Sequence, residues 1–303
     1  MSQYKDLSSY KLAVKLRSRK TILVEGVSDK TVLSRFILGK NHLDAVNSAF
    51  IIDDVSIIGP DEQFSGLGNR QKLLVTASRV VQPNKIKYFA DREWDNIDLS
   101  AVSLNCFSQS SQTVLLTKGH SIENYWFDKG AIVSFLIQTH AENINDGYLS
   151  EVSKRFNEFL RFSASYSIAA KDSQAITKCG GLIGAGDVVW TGARYEATED
   201  LNLKCRQRRI ESNIVQLMQD NRAQIDAIQP ALLQWICHGH LGEEAIRACA
   251  ANLAKEYGIG DNTVSSIERG HQKEKLNHDA AYIAGCENSR IHPLDEILTW
   301  VRG

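Results

Sequence analysis

Apolar residues come in short bursts through the first half of the chain, and their spacing alternates between the two-residue period of strands and the three-to-four-residue period of helices. The pattern predicts an opening helix around Tyr10 to Arg17 and a strand near Lys20 to Val24. A helix near Ser28 to Leu38 follows, with Val32, Leu33, Phe36 and Ile37 as its apolar stripe. A second strand falls within Ala49 to Ile58, although Asp53 and Asp54 interrupt its apolar face, and Gly59-Pro60 ends it. The loop through Gly66 and Gly68 leads into a helix near Asn69 to Val81, then a strand at Ile86 to Ala90 and another at Thr113 to Leu116. Strands separated by helices give an α/β fold with a mainly parallel, Rossmann-like sheet.

Beyond about residue 145 the texture changes. Tyr148 to Phe162 and Ile210 to Ile228 carry helical apolar spacing, while Cys179 to Glu196 is rich in glycine and aromatic residues and reads as a hairpin or an elaborate loop. The expected organisation is a catalytic α/β domain over residues 1–145 and a mainly helical substrate- and partner-binding region over 146–303. Internal repeats, low-complexity tracts and long linkers are absent from the sequence.

Composition adds limits. A chain of 303 residues, 43% hydrophobic and 23% charged, can bury a substantial core. With 35 Lys and Arg against 36 Asp and Glu it has no global basic field, so any nucleic-acid contact must be local. The six cysteines show no C-x-x-C spacing, the N-terminus lacks an apolar signal core, and no apolar run approaches a bilayer span. A cytoplasmic protein with reduced thiols and no membrane association is expected.

Candidate chemistry gathers at the strand ends. The first strand runs into Glu25-Gly26, and the Ile86 to Ala90 strand runs into Asp91-Arg92-Glu93-Trp94-Asp95. Ligands of open α/β sheets bind outside the carboxyl ends of the strands, so these acids can converge there. Asp91 and Glu93 would share one side if the extended conformation continued. An oxygen-only set of this kind suits magnesium, with manganese as the alternative. His120 and Glu123, just after the Thr113 to Leu116 strand, would lie at the same edge of a parallel sheet, as a phosphate contact and a further metal ligand. Capping and packing by Ser121, Glu123, Tyr125 and Trp126 is the plainer alternative. Cys237, His238 and His240 are too tightly spaced for a tetrahedral zinc set. Lys204, Arg206, Arg208 and Arg209 form the densest basic run, able to track a phosphate backbone or to serve as a solvated helix face. No phosphate-loop sequence is present, and Gly184-Ala185-Gly186 lacks its lysine.

The segments TILVEGVSDK and FADREWD resemble the TOPRIM fold, shared by topoisomerases, primases and overcoming-lysogenization-defect nucleases. Together with TKGHSIENYWFD, residues Thr117 to Asp128, they are similar to the AriB family, the TOPRIM effectors of PARIS anti-phage systems. The resemblance covers the N-terminal half well and the C-terminal half mainly by length and helical texture. It implies a magnesium-dependent endoribonuclease that acts as a toxic, abortive-infection effector. Such an effector is held by an ABC-type ATPase sensor of the AriA kind, released when a phage trigger protein is sensed, and acts on host transfer RNA as a homodimer. It also implies that Glu25 is a general acid or base beside the metal, and that Asp91 with Glu93 holds the ion. Glutamate replaces the family's second aspartate, so Asp95 is the alternative ligand to Glu93. A DNA nuclease of the overcoming-lysogenization-defect type and a degenerate TOPRIM binding or regulatory subunit are the other readings.

Overall fold

The computed structural model describes residues 3–109, 111 and 113–303. Contacts divide the chain into two compact units: residues 1–92, 108–122 and 276–303 form one, and residues 93–107 and 123–275 form the other.

The first unit is built on a four-stranded sheet of β1 (Lys20–Val24), β2 (Phe50–Asp54), β3 (Ile86–Ala90) and β4 (Val114–Leu116). The strand order is β2-β1-β3-β4 and every pairing is parallel, as the alternation of strands and helices predicts. Parallel strands covered on both faces need apolar residues at consecutive positions. Ile22, Leu23 and Val24 are accordingly fully buried. Leu23, Ile86, Tyr88 and Ala90 join a core cluster with Leu7, Tyr10 and Val14 of α1 (Leu7–Leu16) and Leu73 and Ala77 of α3 (Asn69–Arg79). Helix α2 (Val27–Leu43) buries the predicted Val32, Leu33, Phe36 and Ile37 stripe and packs on β1 and β2.

The two aspartates that interrupt β2 have structural partners. Asp53 accepts from Arg17 at 2.5 Å and from the Tyr10 hydroxyl at 3.1 Å, tying α1 to the sheet. Asp54 accepts from the backbone N–H of Ser56, at the start of a 3-10 turn, and lies 3.6 Å from Lys30. Gly59 does more than end the strand. Its N–H donates to Tyr4 O at 2.7 Å, and a Cβ there would lie 2.3 Å from Lys5 O, so only glycine admits this backbone approach.

The C-terminal segment closes the same unit. Lys20 donates to Trp300 O, the Trp300 indole to Pro83 O at 3.2 Å, and Arg302 to the Asn41 side chain at 2.9 Å.

The second unit is mostly helical. Helices α4 (Lys129–His140) and α5 (Asp146–Asp172) belong to it, with Asn145 capping α5 by accepting from Tyr148 N at 2.9 Å. The helix Gly239–Glu256 packs along α5; its buried Gly242, Ala245, Ala248 and Ala251 permit close approach, and the Tyr148 hydroxyl donates to Ala250 O. Strands β5 (Val188–Trp190) and β6 (Tyr195–Ala197) pair antiparallel, resolving the glycine- and aromatic-rich stretch into a hairpin preceded by a loop. The helical spacing of Ile210 to Ile228 becomes two short helices, Ile214–Asp220 and Arg222–Asp226, separated at Asn221.

Candidate functional site

Strand order places the change of winding direction between β1 and β3, since the chain moves from β1 outward to β2 and returns to start β3 on β1's other side. The crevice outside the carboxyl ends of two such strands is where open α/β sheets bind ligands. Glu25 follows β1 and Asp91 follows β3, so one acid stands at each side of this point. The structure brings them together: the Asp91 N–H donates to Glu25 Oε1 at 2.8 Å.

Asp91 is fixed from three directions. Besides its bond to Glu25, its carbonyl accepts from Arg70 Nε at 2.8 Å, at the first turn of α3. Its Oδ1 accepts at 3.1 Å from the N–H of Ile122, the first residue of the Ile122–Trp126 3-10 turn within the HSIENYW segment. Glu25 sits one residue before the Gly26 N-cap of α2, where the positive end of the helix dipole favours negative charge. The Gly26 N–H is itself held by Asp29 at 3.0 Å.

Arg92, to which the sequence pattern gives no role, is fully buried and acts as the clamp of this edge. Its backbone N–H donates to Thr117 Oγ1 at 2.9 Å, its Nε to Thr117 O at 3.0 Å and its Nη2 to Ser108 O at 3.0 Å. A guanidinium buried among carbonyls locks the end of β3 to the end of β4. The signal available in the sequence was its position inside the acidic run. Lys118 is the second residue past β4. It is half-buried, and that burial lowers its pKa from the ordinary ammonium value.

The other predicted residues fall as follows. His120 belongs to the same unit as Glu25 and Asp91 and is buried, at 6% exposure. Glu93, Asp95 and Glu123 belong to the second unit. The extended conformation does not continue past Ala90: Glu93 has φ of 55°, in the left-handed region, and both Glu93 and Asp95 are exposed. The two-residue spacing of Asp91 and Glu93 therefore does not carry the same-side argument made from the sequence. Glu123 Oε1 lies 3.6 Å from His240 Nδ1. His238 is the N-cap of Gly239–Glu256, accepting from Leu241 N at 3.4 Å, and burial with the nearby His240 lowers its pKa to about 4. Among the described residues no group of three His, Cys, Asp or Glu is arranged to hold a metal ion.

The basic run divides. Lys204 donates to Asp187, whose side chain is 1% exposed, at 2.6 Å, a structural ion pair. Arg206, Arg208 and Arg209 are exposed, but the helix Glu199–Gln207 ends before Arg208, and Arg209 has φ of 57°. Helical periodicity therefore does not set a common face for Arg206 and Arg209.

Carboxylate oxygen is the donor type of hard divalent cations. Magnesium takes one or two protein carboxylates and keeps water or substrate phosphate in the rest of its shell; Glu25 and Asp91 supply that donor type, and the bond between them runs from the Asp91 backbone N–H to the Glu25 carboxylate. Among the described residues no helix is long and apolar enough to cross a membrane. Compared with protein-family models and with curated proteins, the chain matches none.

Proposed function

We propose that the chain is a magnesium-dependent nuclease of TOPRIM type, an endoribonuclease effector resembling the AriB family of PARIS defence, with manganese as the alternative ion. The observation that carries this reading is the meeting of Glu25 and Asp91 at the change of winding of a parallel sheet. Glu25 and Asp91 would hold the ion, which when bound neutralises the charge that builds on a phosphodiester during cleavage. Glu25, beside the N-terminus of α2, would hold or move a proton. Lys118 would supply a positive contact to substrate phosphate. The roles expected for Glu93 or Asp95 in the metal shell, and for His120 and Glu123 in catalysis, rest on the sequence alone. Transfer RNA as substrate, an ABC-type ATPase of the AriA kind as holding partner, a phage trigger protein and a homodimeric active form rest on the sequence resemblance alone. So do toxicity, abortive infection and a cytoplasmic location.

A second reading, a TOPRIM-like binding subunit without catalysis, is favoured by one observation: no three-residue metal-binding group occurs among the described residues. Sequencing RNA ends and assaying DNA integrity after expressing the parent and Asp91→Asn in bacteria separates the readings. Transfer RNA ends produced by the parent and absent with Asp91→Asn support the effector. DNA breaks with intact RNA move the assignment to a DNA nuclease, and intact RNA and DNA in a toxic parent leave the binding subunit.

A further inference from the structure

Beside the Asn221 break between Ile214–Asp220 and Arg222–Asp226 lies a cavity of about 340 Å³, inside the roughly 300–1,000 Å³ range of small-molecule sites. It lies wholly within the second unit, walled by α5, β6 and those two short helices. Its floor is apolar: Phe162, Tyr195, Val215 and Met218 line it, and all four are buried. Ser165, one helical turn past Phe162, donates its hydroxyl proton to Met218 O at 2.9 Å. That bond ties α5 to the helix Ile214–Asp220 through a side chain too small to fill the space. The remaining walls carry Arg194, Glu196, Arg222 and Asp226. Arg222, whose side chain is 15% exposed, is held by two carboxylates: its Nε donates to Asp226 at 3.1 Å and its Nη2 to Glu158 at 2.8 Å. Arg194 Nε donates to Glu196 Oε1 at 2.6 Å. A guanidinium has five N–H donors, so both arginines are fixed in place with donors to spare.

We propose that this cavity binds a nucleobase, carried either by a free nucleoside or by an unpaired residue of RNA, with the ring on the Phe162–Met218 floor and its acceptor edge toward the arginines. Three features select that chemistry. Two guanidiniums and two carboxylates line the cavity, so their charges cancel and a net anion or net cation gains no field from them. The hydrogen-bonding capacity left over is mainly N–H, because Glu196 and Asp226 already accept from the arginines while Arg222 Nη1 has no protein partner among the described residues. A ligand ammonium would have to compete for those occupied carboxylates, whereas ring nitrogens and carbonyl oxygens meet donors that are free. The floor, finally, offers aromatic rings and a thioether, both of which suit the face of a flat ring. Nucleobases combine neutral charge, a flat apolar face and an acceptor-rich edge, and guanidinium donation to their ring nitrogens and carbonyl oxygens is the commonest specific contact made to them. Stacking of the base face on an aromatic side chain is independent of base identity. The inference goes beyond the nuclease reading and does not rest on it, since binding a base requires no cleavage.

The chain has methionine at Met1 and Met218 alone, so the full protein grown on methyl-labelled methionine carries a single reporter in the cavity floor. Titration with guanosine or adenosine should move the Met218 methyl resonance saturably, through the ring current of the bound base, while a ribose phosphate without a base leaves it in place. A short single-stranded RNA, added in EDTA so that no metal-dependent cleavage intervenes, tells the two sources apart. Saturation by the RNA at the lower base concentration assigns the cavity to unpaired RNA bases, and the reverse order assigns it to free nucleosides. Ala223→Trp, at an exposed position on the cavity wall, should fill the mouth and abolish the shift. The parent spectra decide the matter even if that variant folds poorly. A Met218 resonance that neither nucleoside nor the RNA moves overturns the proposal. So does an equal shift with phenylalanine or benzoate, which would make the cavity a site for zwitterions or acids, and so does unchanged nucleoside binding by a folded Ala223→Trp.

Discussion

Glu25 and Asp91 each do two things that substitution can pull apart. Glu25 accepts the Asp91 N–H, and Asp91 caps Ile122. The amide variants Glu25→Gln and Asp91→Asn keep an acceptor oxygen and lose only the charge. Each should therefore hold its stability to within about 1 kcal/mol while losing nuclease activity. Asp91→Ala also removes the cap and should cost a further amount on the order of 0.5–2 kcal/mol in urea unfolding. Magnesium titration followed by thermal shift checks the charge half of the argument: the parent should be stabilised and both amide variants should not. Equal magnesium stabilisation of all three would remove these carboxylates from the metal. The sequence disclosed these two acids because each ends a readable strand. It did not disclose the left-handed turn at Glu93, since that conformation arises where the chain leaves the sheet and no glycine marks it. Arg92 was hidden for a different reason, as burial of a guanidinium depends on carbonyls from residues 108, 117 and 118 that only the fold assembles.

At the scale of elements, the cap of Gly239–Glu256 carries a pH dependence. An unfolded His238 takes a proton near pH 6.5, whereas the folded side chain resists protonation down to about 4. The unfolded state thus binds more protons between those values, and stability rises with pH through that window. The contribution is complete above pH 6.5 and is lost on acidification toward 4. From about pH 7 to about pH 5 the parent should lose about 2 kcal/mol from this group in urea titrations, and His238→Asn, a good cap that does not titrate, should flatten that slope. A parent and variant of equal slope would show that His238 is not the titrating group. The basic run separates in the same way. Lys204→Ala leaves Asp187 buried without its cation and should destabilise by about 1–3 kcal/mol, with the half-exposed lysine end reducing the cost. Replacing Arg206, Arg208 and Arg209 by alanine should leave stability within about 0.5 kcal/mol and lower the salt slope of RNA binding by about 0.7 for each phosphate no longer neutralised. An unchanged slope would return these arginines to a solvated surface. Strands β1, β3 and β4 were legible almost to the residue, because three consecutive apolar positions next to polar breaks have few other solutions, whereas β2 ends at Asp54, short of the expected Ala49 to Ile58 span. The division of Ile210 to Ile228 at Asn221 was not, since a two-helix break preserves nearly the same apolar spacing.

For the whole molecule, the sequence texture suggested a change near residue 145, and the fold adds a feature that texture does not carry: residues 276–303 belong with the sheet. A terminal helix has the same amphipathic signature whichever body it covers, so its destination is set by shape and by single bonds such as Trp300 to Pro83. The final helix, Leu294–Arg302, buries Leu294, Ile297, Leu298 and Val301, all at 5% exposure or less. At about 1.5–3 kcal/mol for each side chain, their removal costs at least about 6 kcal/mol, comparable with the entire stability of an ordinary domain. Arg302 adds a 2.9 Å ion pair with Asp44, which lies just beyond α2. A chain ending at Ile291 should therefore lose the folded sheet unit even though every strand and both site carboxylates remain, and a fragment of residues 1–145 should fail for the same reason. Circular dichroism melting and amide exchange on β1 and β3 test this directly. Cooperative melting with protected β1 amides in the 1–145 fragment would show that the sheet stands without its C-terminal cover. Exposed amides, together with loss of magnesium stabilisation, would show that the Glu25 and Asp91 geometry depends on a segment that lies roughly the length of a further domain away along the chain.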